Sequence, residues 1–143
     1  MTRQEYMDMY EVVGAAMEVY NHLGRGMAEP LYQEALEKEF ALRNMEVERE
    51  KLLVTFYKGE PLKKVYYADF FYNGIVVELK SVDEINSDHR AQLFNYMRIT
   101  KQHQGILFNF GEGSLHTERY LYLPEFDSFV LLNQDNYRNY ITD

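Results

Sequence analysis

A chain of 143 residues, 46% hydrophobic and 27% charged, has the length and apolar content of one folded domain, which excludes a disordered polypeptide and leaves little room for a second core. The absence of cysteine excludes disulfide frameworks, thiolate zinc sites and cysteine nucleophiles, so any metal must be held by oxygen or imidazole. A formal net charge of −8, from 23 acidic and 15 basic residues, disfavours a broad electrostatic grip on duplex nucleic acid, although a local basic patch on an acidic protein remains compatible with it.

In chain order, DMYEVVGAAMEVYNH places Val12, Ala15, Ala16, Val19 and Tyr20 at helical spacing, and LGRG follows as a stop, so the first helix is expected over residues 8–22. Pro30 to Asn44 repeats Leu31, Ala35, Leu36, Phe40 and Leu42 among charges, which predicts a second helix with proline in its first turn. KLLVTFYKG, VYYADFFYNG and IVVELK then turn to strand formers and read as three consecutive antiparallel strands. Ser87 is the expected cap of a helix DHRAQLFNYMRIT, whose Ala91, Leu93, Phe94 and Met97 form an apolar face. GILFNF is an apolar run expected of a buried strand, RYLYL and SFVLLN offer further short strands, and the last ten residues are expected to fray. A single domain over residues 1–143, with a mixed sheet flanked by helices, is the economical architecture of this α+β order. No apolar run approaches the ~20 residues that span a bilayer, and the N-terminus lacks the order of a secretory signal, so a cytoplasmic location and no membrane partner are expected.

Asn73-Gly74 between two strand-like runs is a strong hairpin signal, because a type I′ turn needs positive φ at both central positions. That turn predicts Tyr72 opposite Ile75, Phe71 opposite Val76, Phe70 opposite Val77, and so Asp69 opposite Glu78. Directly opposed carboxylates, with Cβ atoms ~4.5–5.5 Å apart, repel unless a cation lies between them, and Lys80 projects from the same strand face as Glu78. Oxygen ligands at that separation suit Mg²⁺ or Mn²⁺, with the lysine orienting a water or neutralising charge developing on phosphorus. The bland alternative is a surface hairpin on which Lys80 relieves both carboxylates.

These residues also resemble a known family. Asp69, with Glu78-Leu79-Lys80 beyond an eight-residue gap, resembles the D…ExK core of the PD-(D/E)xK nuclease superfamily, whose restriction-endonuclease-like fold runs helix, three strands, helix, strand, in agreement with the order ααβββαβ expected here. Gly26-Met27-Ala28-Glu29-Pro30-Leu31-Tyr32, followed by Gln33-Glu34-Ala35-Leu36, resembles the signature of the bacterial GxxExxY proteins, a branch of that superfamily. Ala91-Gln92-Leu93-Phe94-Asn95-Tyr96 resembles the helix after the ExK strand in that branch, and Asn109-Phe110-Gly111 its next strand end, so the likeness runs over about residues 8–125. Tyr67-Ala68 departs from the proline-containing lead-in.

The resemblance implies metal ligands at Asp69, Glu78 and the carbonyl of Leu79, a catalytic Lys80, and Glu29 and Gln92 facing the same site. It also implies a Mg²⁺- or Mn²⁺-dependent nuclease with nucleic acid as partner. A nuclease-fold module that binds or regulates without cleaving is the alternative, since fold does not determine function, and self-association through a sheet edge or SFVLLN, as a homodimer or with a protein partner, is a third reading. Tyr32 reads as core packing and His89 as a solvated first-turn residue, while His22, His103 and His116 show no ligand spacing. Lys58, Lys63, Lys64, Arg90, Arg98 and Lys101 are candidates for a phosphate-contacting rim, and some of the 13 tyrosines and 9 phenylalanines for stacking on bases.

Overall fold

The structure is a computed structural model and describes residues 1–143. Helices α1 (Arg3–Leu23) and α2 (Glu29–Leu42) precede strands β1 (Glu48–Tyr57), β2 (Glu60–Tyr72) and β3 (Ile75–Lys80). Helix α3 (Ser87–Thr100), then β4 (Gln104–Asn109), β5 (His116–Leu123) and β6 (Ser128–Leu132), complete the order ααβββαβββ, with a closing 3₁₀ turn at Tyr137–Tyr140. The six strands form one sheet in sequential order; β3 and β4 are parallel, joined by the α3 crossover, and the other pairs are antiparallel.

The alternation of β3 divides the core. Ile75, Val77 and Leu79 pack with Met9, Val12, Tyr32, Leu36 and Phe40 of α1 and α2, while Val76 packs with Leu93, Tyr96 and Met97 of α3. Glu78 therefore points to the α3 side, as does Lys80 two residues on. The Asn73-Gly74 turn has φ of 47° and 83°, and the predicted pairs Tyr72↔Ile75, Phe71↔Val76 and Phe70↔Val77 form.

Four expectations are corrected. Helix α1 begins at Arg3, because Thr2 accepts from the Glu5 N–H at 3.0 Å and Tyr6 and Met9 extend the buried stripe. Asn86, not Ser87, caps α3: its Oδ1 accepts from His89 N–H at 3.0 Å while His89 Nδ1 accepts from Asn86 N–H at 3.1 Å. The C-terminal residues are fastened rather than frayed, since Tyr137 stacks on Tyr6 at 4.4 Å and the Met1 amino group donates to the Tyr140 carbonyl at 2.9 Å. Asp69 and Glu78 are not a ladder pair, because β2–β3 pairing ends at Phe70↔Val77.

The reason for that last departure lies in β2. Ala68 belongs to the α3-side core and Phe70 to the opposite core, although two residues on a regular strand share a face, so alternation slips at Asp69. Glu50, between the pairs Arg49↔Phe70 and Lys51↔Ala68, takes a left-handed φ of 53° at the same level of β1. The distal part of the β1–β2 hairpin is thereby turned so that Leu53, Tyr66 and Ala68 face α3.

Candidate metal and catalytic site at the end of β3

Where the ladder stops, side chains replace main-chain pairing. Asp69 N–H donates to Glu78 Oε1 at 3.1 Å, and Asp69 Oδ2 accepts from Leu79 N–H at 2.8 Å. Asp69 Oδ1 accepts from Gln33 Nε2 at 3.3 Å, so helix α2 orients the carboxylate from the other side. The Lys80 carbonyl accepts from Phe110 N–H on the β4 side, and peptide groups alternate along a strand, so the Leu79 carbonyl leaves on the Asp69 side with its N–H. Asp69, Glu78 and Leu79 thus present oxygens to one gap between β2 and β3.

Glu78 is 4% exposed, and burial pushes its carboxyl well above the ordinary range, helped by the charge of Asp69 and opposed by Asp69 N–H and Lys80. Burial also raises Asp69, with Leu79 N–H, the Glu78 hydrogen bond and Lys80 pulling it down and Glu50 pushing it up. Glu29, the first residue of α2, is half-buried and raised by burial and then by Asp69, against the pull of Lys80. Glu29 is therefore an electrostatic neighbour of both Asp69 and Lys80.

Lys80 Nζ donates to Gln92 Oε1 at 2.8 Å, and Gln92 Nε2 donates to the Tyr96 hydroxyl at 3.2 Å, placing one turn of α3 over the lysine. Of the five side chains expected here, Asp69 bonds to the Glu78 strand and Lys80 to Gln92 at this end of the sheet, while Glu29 makes no hydrogen bond to them and is linked through charge alone. His89 does not join them; it is spent on the α3 cap.

Two neighbours escaped the sequence reading. Gln33, 6% exposed, bridges Glu50 Oε1 at 2.9 Å and Asp69, and accepts from Arg49 at 3.2 Å. Glu50, with its left-handed φ of 53°, reaches the site from β1. Gln33 sits one position beyond the Tyr32 of the motif, but nothing local announces that it would face Asp69.

The GRGMAEPLY string builds the turn before α2. Fully buried Tyr32 donates to the Gly24 carbonyl at 2.6 Å and accepts from Met27 N–H at 3.2 Å, while Gly26, at φ 84°, donates to the Phe110 carbonyl at 3.0 Å. Ser81 Oγ donates to the Met27 carbonyl at 2.5 Å, tying this turn to the strand end that follows Lys80. Asn109, also fully buried, accepts from Val82 N–H at 3.0 Å and donates to the Val82 carbonyl at 2.9 Å; a Cβ at Gly111 would collide with that same Val82 backbone.

The donor set is all oxygen, from two carboxylates and a carbonyl, and so fits a hard divalent cation. No group of three His, Cys, Asp or Glu side chains is arranged to hold a metal ion, so the protein's own contribution is limited to the two carboxylates and the carbonyl. Of the expected basic rim, Arg90 and Arg98 are engaged internally, by Glu118 at 2.8 Å and Asp127 at 2.9 Å, because each guanidinium finds a carboxylate from β5 or the turn before β6. No helix is long and apolar enough to cross a membrane.

The sequence pattern of the PD-(D/E)XK nuclease superfamily matches residues 7–121, a span that contains every residue placed in the site above. Among solved structures, that of SSO0001 superposes with a TM-score of 0.51 at 20% identity, covering 64% of this chain and 48% of that one. This chain therefore spans about half the length of that protein, and the likeness is one of fold. No curated protein matches the chain.

Proposed function

The chain belongs to the PD-(D/E)XK nuclease superfamily, and from that premise we propose that it is a metal-dependent phosphodiesterase acting on nucleic acid, in the GxxExxY branch that its Gly26–Tyr32 string resembles. The observation that carries the reading is the convergence of Asp69, Glu78, Lys80 and Gln92 at one strand end, with Lys80 held at 2.8 Å by Gln92.

Asp69, Glu78 and the Leu79 carbonyl would hold Mg²⁺ or Mn²⁺, which would supply positive charge to a phosphoryl oxygen and acidify a water. Asp69 is aimed by Gln33 and by Leu79 N–H, and Glu78 by Asp69 N–H, so both carboxylates are set before anything binds. Lys80, fixed by Gln92 on the same sheet face as Glu78, orients the attacking water and offsets negative charge growing on the phosphorus oxygens. Glu29, raised by burial and then by Asp69, would take or return a proton at the edge of the site.

The test is calorimetric titration of Mn²⁺ into wild type and Glu78→Ala, followed by cleavage of single- and double-stranded DNA and RNA with Mn²⁺ and with EDTA. Binding by wild type alone, with metal-dependent cleavage lost in Glu78→Ala, is the expected result. Cleavage of equal rate in Glu78→Ala overturns the assignment.

A further inference from the structure

A chain of contacts leads out of the catalytic end of β3 into a cleft that the proposed reaction does not use. Lys80 Nζ meets Gln92 Oε1 at 2.8 Å, Gln92 meets the Tyr96 hydroxyl at 3.2 Å, the Tyr96 and Tyr66 rings lie 5.7 Å apart, and Lys64 Nζ stands 5.3 Å from the Tyr66 ring centre. Tyr66, Tyr96 and Gln92 line a cleft of about 570 Å³ between α3 and the β1–β2 hairpin, which Gln92 shares with the site, and Lys64 stands outside that lining, beside Tyr66. Tyr96 is buried in the wall at 6% exposure, whereas Tyr66 offers its ring to the opening at 38%.

The volume falls in the range of small-ligand sites, ~300–1,000 Å³. The cleft combines an aromatic face with amide and hydroxyl groups from Gln92, Asn95 and Thr55. Positive charge near it comes from the far end of the hairpin, where Lys58, Lys63 and Lys64 accompany one acid, Glu60, while Lys51 is paired with Glu48 at 3.0 Å, in a chain whose formal net charge is −8. Asp88 and Arg98 of α3 line the cleft too, and Arg98 is already paired with Asp127 at 2.9 Å; Lys64, just outside the lining at 5.3 Å from the Tyr66 ring centre, is the cation offered to a phosphate. Aromatic rings beside lysines, on a protein that is otherwise acidic, fit a flexible strand whose bases can turn onto a ring better than a stiff duplex held by many phosphates.

We propose that this cleft seats an unpaired nucleotide of a single-stranded nucleic acid, its base stacked on Tyr66 and hydrogen-bonded along the Gln92–Asn95 edge of α3, with its backbone running past Lys64 toward Lys80. The proposal rests on the nuclease reading for its direction toward Lys80, but the binding it asserts is measured without cleavage.

The measurement is fluorescence anisotropy of short labelled DNA and RNA single strands and of a DNA duplex, at low salt, in EDTA and again with Mn²⁺. Wild type should bind single strands. Tyr66→Ala should weaken that binding about tenfold, the order expected for one lost base stack, while Tyr66→Phe keeps it and duplex binding is unchanged. Lys64→Glu, a surface change, should weaken single-strand binding and flatten its salt dependence; DNA and RNA arms show which sugar is preferred. Equal single-strand affinities for wild type, Tyr66→Ala and Lys64→Glu overturn the proposal. So does an absence of single-strand binding by wild type, or a dimer in sedimentation that Tyr66→Ala dissolves, which would make the cleft a contact between copies. Single-strand binding without cleavage would leave the cleft assignment standing and remove the nuclease one; cleavage indifferent to Tyr66 and Lys64 would do the reverse.

Discussion

Asp69 donates its main-chain N–H to the Glu78 carboxylate across 3.1 Å, at the level where β2 and β3 have ceased to pair. A buried acid is thus held by a backbone group rather than by a cation of its own. The folded-state carboxyl of Glu78 is raised well above its ordinary 4.5, so the folded protein binds more protons than the unfolded chain as pH rises past that value, and stability falls. Glu78→Gln removes the titration. In EDTA the variant should match wild type near pH 4.5 and exceed it increasingly toward pH 8, by about 1–3 kcal/mol, the cost scale of a poorly compensated buried group. Thermal melts against pH read the difference, and Mn²⁺ should raise Tm in wild type only. Parallel pH profiles for the two proteins would contradict it.

The lysine and the glutamine over it separate chemistry from metal binding. Lys80→Ala should lower metal-dependent cleavage by about 10²–10⁴, the range of a lost proton-handling or charge-stabilising group, with Mn²⁺ affinity retained. Gln92→Leu leaves Lys80 without its acceptor at 2.8 Å and should lower turnover by about tenfold, again without weakening Mn²⁺. Single-turnover cleavage alongside calorimetry checks both, and loss of Mn²⁺ binding in either variant contradicts the division of labour.

Gln33 acts through Asp69. Its amide reaches Asp69 Oδ1 at 3.3 Å and Glu50 Oε1 at 2.9 Å, so one buried side chain keeps two acids apart and points one of them at the gap. Gln33→Leu preserves the volume on α2 but frees Asp69 to turn, and should cost about 10–100-fold in Mn²⁺ affinity, as outer-shell partners of metal ligands do. Gln33→Glu should weaken Mn²⁺ as well, by losing the donor and adding a like charge. A purely structural role would lower Tm and leave the titration unchanged.

The legible parts of this molecule were those with local signals. Asn73-Gly74 fixes three strand pairs, and the D…ExK spacing, read from that turn, leads to the residues that meet. A comparable signal, Lys58-Gly59 with φ of 50° and 83°, closes the β1–β2 hairpin in the same way and lengthens both strands beyond the apolar runs that announced them. What could not be read is set by partners far apart in sequence. The slip at Asp69 goes with the left-handed turn of Glu50 opposite it on β1, and Gln33 bonds both side chains. His116, Glu118 and Tyr120 did carry a signal, since alternate strand residues share a face, but their partner Arg90 sits 28 residues away on α3.

That cluster gives the largest stability effect expected outside the site. Arg90 Nε and one terminal nitrogen each reach a Glu118 oxygen at 2.8 Å, the Tyr120 hydroxyl donates at 2.5 Å and His116 Nε2 lies at 2.6 Å, so one buried carboxylate gathers groups from α3 and β5. The Arg90 hydrogen bonds hold the Glu118 carboxyl down at about 2, below its ordinary 4.5. A depressed carboxyl contributes stability that is fully present above the unfolded value and is lost as pH falls through the folded one, here between 4.5 and about 2. Arg90→Ala leaves Glu118 buried without its main cation and should cost roughly 3 kcal/mol at pH 7, read as a lower urea midpoint at unchanged m. Because Glu118 is then no longer held down, the deficit relative to wild type should shrink toward pH 2. Arg90→Lys, which keeps the charge but not the two-pronged geometry, should recover part of the loss. A deficit constant from pH 7 to pH 2 would assign the cost to lost packing of the arginine stem on α3 rather than to its charge.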